Sequence, residues 1–298
     1  MFFINPTVKP TAKLRAMLAA PGLIVAPGAY DALSARIIAR SGFDAVYLTG
    51  YGAAASRLGE PDVGLLTMTE MVEQCRAIAA AAPAPVIADA DTGYGNALNV
   101  RRTVQAYEAA GVAALQLEDQ VFPKRCGHME GKRVIDTAEM VAKLRAAADA
   151  RTDPDLVIIA RTDARAVLGF DAALERCHAY REAGADVIFM EAPESREEMA
   201  AVARAIKAPL FANLIERGRT PLIPLDELAA MGYKIAIYPL TALYAAARAV
   251  SEAMAELRAK GTMAGWVDRM IPFGDFNELV GLAGYRELER KYSTGQGE

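Results

Sequence analysis

Eight short apolar runs recur along the chain, each followed by turn-forming or polar residues, at positions 23–26, 45–49, 86–90, 113–118, 157–161, 187–191, 209–213 and 234–238. None alternates cleanly between apolar and polar residues, which predicts strands covered on both faces, as in parallel sheets. Between them lie alanine-rich stretches of helix formers. Thr67 with Glu70, and Ser195 with Glu198, have the spacing of capping boxes, while Asp31 and Asp171 read as N-caps. Four helical stretches stop at a glycine that leads into a strand: Gly42, Gly111, Gly184 and Gly232. A glycine past a helix end takes the left-handed conformation at little cost. Recurrence of that joint is a structural repeat without sequence identity.

Eight strands alternating with helices predict a (β/α)8 TIM barrel. An open doubly wound sheet is the rival, but no strand is followed by a G-x-G-x-x-G turn. Residues 241–260 and about 275–291 read as helices; one completes the barrel, and the other exceeds what a barrel needs and is available to a neighbouring subunit. The expectation is one barrel domain over 1–298, with 241–298 as its helical extension.

Composition adds exclusions. The 298 residues are 53% hydrophobic and 23% charged, as in an ordinary globule. A net charge of −4 gives no reason to expect nucleic acid or an acidic membrane as partner. No apolar run reaches membrane-spanning length, and residues 1–6 lack the architecture of a secretory leader. Cys75, Cys126 and Cys177 are odd in number and far apart, so no disulfide framework is expected. These features predict a cytoplasmic protein.

The segment from Glu118 to Lys132 concentrates the chemistry. Carboxylates, cations, a thiol and an imidazole are broken up by Pro123, Gly127 and Gly131, which predicts a loop. A lone cysteine is more often a small buried hydrophobe than a reagent. Here the Cys126 thiol lies within two residues of Lys124, Arg125 and His128, a setting that favours thiolate and reactivity. The C-terminal strand ends, where barrels of this type place their active sites, carry Thr49-Gly50, Asp89-Ala90-Asp91, Glu118-Asp119, Arg161-Thr162-Asp163, Glu191 and Asn213. Asp163 or Asn213 alone could be a helix cap. All six sets on one face are poorly explained that way. Asp89 and Asp91, two apart, are expected on the same side of a strand, where they repel unless a cation lies between them. With Glu118 they make an all-oxygen site suited to Mg²⁺ or Mn²⁺. Zinc is disfavoured because His128 and His178 lack paired spacing, and His178 reads as structural. Arg161 can grip a carboxylate with its planar fork, and Thr49-Gly50-Tyr51-Gly52 offers hydroxyl and backbone donors. The ligand these features suit is a small di- or tricarboxylate.

Lys124-Arg125-Cys126-Gly127-His128 matches the K-[KR]-C-G-H signature of the isocitrate lyase/phosphoenolpyruvate mutase superfamily. Ala88 to Gly95, Gln116 to Gln120, Ala160 to Ala164, and Glu191 with Ala192-Pro193 also resemble blocks of that family, so the likeness runs from about Pro27 to about Pro239. It implies a (β/α)8 barrel whose last helix is exchanged between subunits, a homotetramer built as a dimer of helix-swapped dimers, and Mg²⁺-dependent cleavage of a C–C bond. Carried over by position, the resemblance makes Asp89 and Asp91 metal-shell carboxylates acting largely through water, supported by Asp62 and Glu118. Thr49, Gly50 and Tyr51 would hold a 2-oxo acid with Arg161 and Gly127, and Glu191 and Asn213 would contact the other carboxylate. Tyr47 would be the base or part of its relay. Cys126 would protonate the carbanion left by a retro-aldol cleavage, with Lys124 and His128 in the same catalytic set and Glu130 helping to set the thiol's protonation.

Two departures bear on the branch. Thr49-Gly50-Tyr51 stands where 2-methylisocitrate lyases resemble Ser-Gly-Gly, and residues 272–281 replace a T-R-x-x-L-Y segment. Both are more similar to the dimethylmalate lyase, petal-death and oxaloacetate hydrolase branch. Tyr51 and an apolar lid of Phe273, Phe276 and Leu279 favour an alkyl group where methylisocitrate carries a third carboxylate. The expected substrate is therefore a substituted malate such as 2,3-dimethylmalate, with 2-methylisocitrate second. Oxaloacetate hydrolysis or decarboxylation, and phosphonopyruvate mutase or hydrolase chemistry, are the alternatives on the same scaffold; the phosphonate branches usually lack the cysteine.

Overall fold

A computed structural model describes residues 8–293, so positions 1–6, read above as lacking a secretory leader, lie outside the described residues. Eight strands form one parallel sheet: β1 (Ile24–Ala29), β2 (Val46–Leu48), β3 (Val86–Asp89), β4 (Ala114–Glu118), β5 (Val157–Thr162), β6 (Val187–Met190), β7 (Phe211–Asn213) and β8 (Ile235–Tyr238). Their order is β6-β5-β4-β3-β2-β1-β8-β7. The two ends meet through a parallel bridge between Ile188 and Leu210, which closes the barrel. The helices are α1 (Pro10–Ala19), α2 (Ala32–Arg40), α3 (Gly50–Leu58), α4 (Met68–Ala81), α5 (Ala97–Ala109), α6 (Thr137–Ala150), α7 (Ala164–Leu168), α8 (Phe170–Glu182), α9 (Arg196–Ala205), α10 (Leu225–Met231), α11 (Thr241–Lys260), α12 (Phe273–Leu279) and α13 (Leu282–Tyr292). The (β/α)8 expectation holds. No helix among the described residues is long and apolar enough to cross a membrane.

The two-residue period of a strand divides its side chains between two cores. Tyr47, Ile87, Ala114, Val157, Ile159, Val187, Phe189, Phe211, Ile235 and Ile237 pack together, with Leu14 of α1, as one cluster. Their neighbours Val46, Leu48, Val86, Ala88, Leu115, Ile158, Ile188 and Ala212 belong to the second cluster, shared with the helices. The first set fills the barrel and the second seals its helices on, which is why the runs carry no polar alternation.

The joints behave as their chemistry requires: Gly42, Gly111, Gly184 and Gly232 all have φ between 88° and 106°. Thr67 and Glu70 make the reciprocal capping box, and Asp31 caps α2. Two details differ. Ser195 accepts the Glu198 N–H, but the Glu198 carboxylate turns to Arg165 and to the Glu194 N–H, so that box is half-formed. Asp171 lies inside the first turn of α8, whose N-cap is Gly169 at φ 94°, because a short α7 ends immediately before it.

Residues 8–243 form one compact unit and the described residues from 244 onward another. In the second, the stretch expected as one helix near 275–291 is split at Gly281, left-handed at φ 88°, into α12 and α13. Phe273 there is exposed.

Candidate active site

The inward side of each strand continues past the apolar layer into polar residues at its C-terminal end. By the same two-residue parity, Ile87 leads to Asp89, Ala114 to Gln116 and Glu118, Ile159 to Arg161, Phe189 to Glu191, and Phe211 to Asn213. All are buried. The cleft above them is lined by Tyr47, Thr49, Tyr51, Asp62, Asp89, Glu118, Lys124, Cys126, Gly127, His128, Arg161 and Asn213, with an apolar wall of Ile215, Ile237, Pro239 and Leu240. Its free volume is about 30 Å³, room for roughly two waters.

Thr49 ends β2 and caps α3, its hydroxyl accepting the Gly52 N–H. The positive end of α3 therefore opens on the cleft. Gly50 is required there: a Cβ would stand 2.7 Å from Asp89 Oδ2 and 3.6 Å from Asp91 Oδ1. Those two acids do converge, though not for the reason expected. β3 ends at Asp89, and Asp91 sits beyond it in left-handed backbone (φ 47°), so strand periodicity no longer governs its direction. It is fixed by its N–H donating to Asp89 Oδ1 and by its carbonyl accepting from Glu118 N.

Lys124 Nζ lies 2.6 Å from Asp62 Oδ1 and 2.7 Å from Asp91 Oδ1, fully buried. Burial alone would lower its pKa, but Asp91, Asp62 and Asp89 outweigh that and hold it well above the ordinary lysine value. Burial pushes the Asp91 carboxyl up to about 6, helped by Asp89 and Asp62 and opposed by Lys124. Glu118 is raised too, chiefly by burial, and its Oε1 has no hydrogen-bond partner. No group of three or more side chains among the described residues is arranged to hold a metal ion directly. Four carboxylates around one cation, with an orphaned carboxylate oxygen, fit a hydrated hard cation that meets the protein largely through its waters.

Arg161 is the hub of the opposite wall. Its Nε donates to Asp163 Oδ2 at 2.9 Å and lies 3.4 Å from Glu118 Oε2 and 3.7 Å from Glu191 Oε2. Glu191 also accepts from Asn213 Nδ2 and stands 3.0 Å from His128 Nε2. Against the penalty of burial, Arg161, His128 and Lys132 hold Glu191 down at about 2. Asn213 Oδ1 has no partner. His128 Nδ1 accepts the Arg219 N–H, which leaves Nε2 to carry the proton toward Glu191.

The thiol environment corrects the expectation of a thiolate. Residues adjacent in the loop point in different directions: Lys124 goes to Asp62 and Asp91, Arg125 to the Glu130 carbonyl, and His128 to Glu191. Cys126 is left half-buried, its pKa pushed up to about 11 mainly by burial, with Asp62 and Glu191 adding and Arg161 opposing. A thiol so placed keeps its proton through the neutral range. Nor is the whole segment solvent-facing: Glu118, Asp119, Gln120, Lys124 and Lys132 are buried.

Tyr47 is also held protonated, its pKa raised first by burial and then by Asp89. Its hydroxyl donates to Gln116 Oε1 at 3.3 Å, and Gln116 Nε2 faces Asp89 Oδ1 at 3.4 Å. Tyr47 thus stands at the head of a polar chain, Tyr47–Gln116–Asp89. Gln116 was not among the expected site residues, although the parity that places Glu118 also places it. Lys132 is a further addition, and it joins Asp163 of the β5 strand-end set: Lys132 Nζ donates to Asp163 Oδ1 at 2.8 Å and to the Gly127 carbonyl. Asp119, which faces outward, accepts from Thr162, Tyr180 and Arg176 and anchors the wall from behind.

The phosphoenolpyruvate phosphomutase family matches residues 14–258. A 2,3-dimethylmalate lyase of Eubacterium barkeri is 55% identical over 96% of this chain and 99% of its own length. A crystal structure of a 2,3-dimethylmalate lyase superposes with a TM-score of 0.91 at 40% identity, over 98% of this chain and all of that one. A phosphonopyruvate hydrolase in complex with oxalate and Mg²⁺ gives a TM-score of 0.87 at 34% identity, over 96% and 99% of the two chains.

Proposed function

This carbon–carbon lyase belongs to the phosphoenolpyruvate mutase/isocitrate lyase superfamily, and on that premise we propose that it cleaves an alkyl-substituted 2-hydroxy dicarboxylate, of the 2,3-dimethylmalate kind, into a 2-oxo acid and a carboxylic acid. The observation that carries the reading is the Cys126 thiol, kept protonated above a cleft that holds an arginine, a carboxylate cluster and an apolar wall. Arg161 and the N–H groups at the start of α3 would receive the 2-oxo acid portion, and Asn213, with its unpartnered Oδ1, and His128 the other carboxyl end. Substrate alkyl groups would face Ile215, Pro239 and Leu240, an apolar wall that suits them better than a third carboxylate. A tricarboxylate such as 2-methylisocitrate is the second choice for that reason.

Asp62, Asp89, Asp91 and Glu118 would hold Mg²⁺, or Mn²⁺ in its place, through its water shell. When bound, the ion supplies positive charge that lowers the pKa of the substrate hydroxyl and stabilises oxyanion charge on the 2-oxo acid. The residues then divide the remaining work. The carboxylates around Lys124 are the bases at hand for the hydroxyl proton. As the C2–C3 bond breaks, its electron pair stays on C3, next to the departing carboxylate, and the Cys126 S–H protonates that carbon. The thiolate so formed regains its proton from solvent when the loop lifts. Tyr47, oriented by Gln116, keeps its hydroxyl fixed beside Asp89.

The same reading takes the protein as a homotetramer with exchanged C-terminal helices. It is supported by the twenty-residue α11, which buries none of its residues and exposes Val250, Met254 and Leu257.

The test is a panel of 2,3-dimethylmalate, 2-methylisocitrate, isocitrate, oxaloacetate and phosphonopyruvate, each assayed for 2-oxo acid release with Mg²⁺ and with EDTA. Release from the alkyl-malate, abolished by EDTA and by Cys126→Ser, is expected. Turnover of phosphonopyruvate alone would end the lyase reading, and oxaloacetate alone would end the alkyl-malate one.

A further inference from the structure

The Cys126 loop has a fixed base. Val121 N donates to the Arg133 carbonyl and Ile135 N to the Asp119 carbonyl, and an antiparallel bridge joins Gln120 to Val134. Lys132 leaves that base next to the bridge, and its side chain runs inward, almost wholly buried. Its ammonium is moored to Asp163 Oδ1, whose carboxylate also takes both donors of the Arg161 fork. From this post it donates to the Gly127 carbonyl, one residue beyond Cys126. The backbone at Gly127 is pressed so close to Arg161 and Glu191 that a Cβ would not fit. One carboxylate thus ties the substrate-gripping arginine to the apex of the thiol loop.

The cleft under the closed loop has room for roughly two waters, so a dicarboxylate enters only when the apex lifts. The anchors that must then let go are those between apex and barrel. The Lys132 ammonium, held by Asp163, stays where it is, and the Gly127 carbonyl is what leaves it. We propose that Lys132 is a positioning residue for catalysis: a fixed post on which the Gly127 carbonyl hooks at each closure, setting the Cys126 thiol over the carbanion. This rests on the reading of Cys126 as the proton donor.

Lys132→Met keeps the length of the side chain and removes the hook, while Asp163 retains Arg161. The apex should then spend more time open. A hydrogen bond from a charged donor shifts such an equilibrium by roughly ten- to a hundred-fold. The direct readout is alkylation of Cys126 by iodoacetamide, followed by peptide mass spectrometry, with the fully buried Cys75 and Cys177 as controls in the same molecule. We expect Cys126 alkylation to accelerate about tenfold or more in Lys132→Met and to return near the wild-type rate in Lys132→Arg. In turnover, kcat should fall by a similar factor with KM within about threefold. Alkylation within twofold of wild type would overturn the proposal. So would acceleration at all three cysteines with a lower melting temperature, which would show a general loosening of the fold. Because alkylation is read without substrate, a wrong substrate assignment would leave this result standing.

Discussion

Replacing Gly127 by alanine tests the closed loop from its other side. The Gly127 backbone is outside the left-handed region, so alanine meets no conformational strain where the loop is open. In the closed state its Cβ would stand 2.5 Å from Glu191 Oε1 and closer still to Arg161 Nη2. Both neighbours are buried and held by further partners, so neither can swing aside without breaking an ion pair. Overpacking of this kind costs about 1–3 kcal/mol. That converts to a loss of closed population of roughly 5- to 150-fold. Gly127→Ala should therefore lower kcat by about one to two decades, and iodoacetamide should reach Cys126 faster by a similar factor. The melting temperature should not move, because the substitution penalises a loop apex and leaves the barrel core alone. Steady-state kinetics, timed alkylation and calorimetry on one preparation give all three quantities. If Lys132 and Gly127 act through the same closure, Lys132→Met/Gly127→Ala should lose less than the product of the two single losses. Activity within twofold of wild type, or lost activity with unaltered thiol reactivity, would refute the close-packed apex.

Two further outcomes follow from the titrating groups. With its pKa at about 11, the Cys126 thiol should react with iodoacetamide at a rate that climbs steadily with pH from 7 toward 11, and a plateau near the ordinary thiol range would contradict the proton-donor assignment. Glu191, held at about 2 against an ordinary value of 4.5, adds stability that is complete above pH 4.5 and lost as pH falls from there toward 2. Urea unfolding across that window should therefore show a steeper acid loss in the wild type than in Glu191→Gln, and parallel profiles would sink this.

Much of the fold was legible because its signals are local. The glycine joints, the Thr67 box and the short apolar runs each depend on residues within a few positions, and each formed as read. The site was legible wherever strand parity carries a side chain inward, as at Asp89, Glu118, Arg161, Glu191 and Asn213. Gln116 was available by the same rule and was overlooked because an amide between two aliphatic residues carries no charge to draw notice. Asp163 was read at its strand end, but its pairing with Lys132 had no such signal: the two are 31 positions apart, one on a loop and one past a strand end, and only folding brings them within 2.8 Å. The thiol failed differently. Counting cations beside Cys126 assumed that chain neighbours stay neighbours in space, whereas Lys124 and His128 turned to carboxylates and Arg125 to the Glu130 carbonyl.

The charges of the closed site show why the loop must bring cations as well as a thiol. Six carboxyl groups, Asp62, Asp89, Asp91, Glu118, Asp163 and Glu191, face three cations, Lys124, Lys132 and Arg161, in a buried cleft, and the raised pKa values of Asp91 and Glu118 reflect burial first and that crowding as well. A dianionic substrate would be repelled from that cleft unless a divalent cation offset most of its negative charge. Burial chiefly, with Asp62 and Glu191 adding to it, also holds the Cys126 proton in place. Lys124 rides on the loop beside the thiol, and its ammonium ends among the acids at 62 and 91. On the proposed mechanism, a descending apex would deliver a proton to the carbon that is becoming an anion and a positive charge to the carboxylates that would oppose it. Lifting it would withdraw both, favouring release of the anionic products and return of a proton to sulfur.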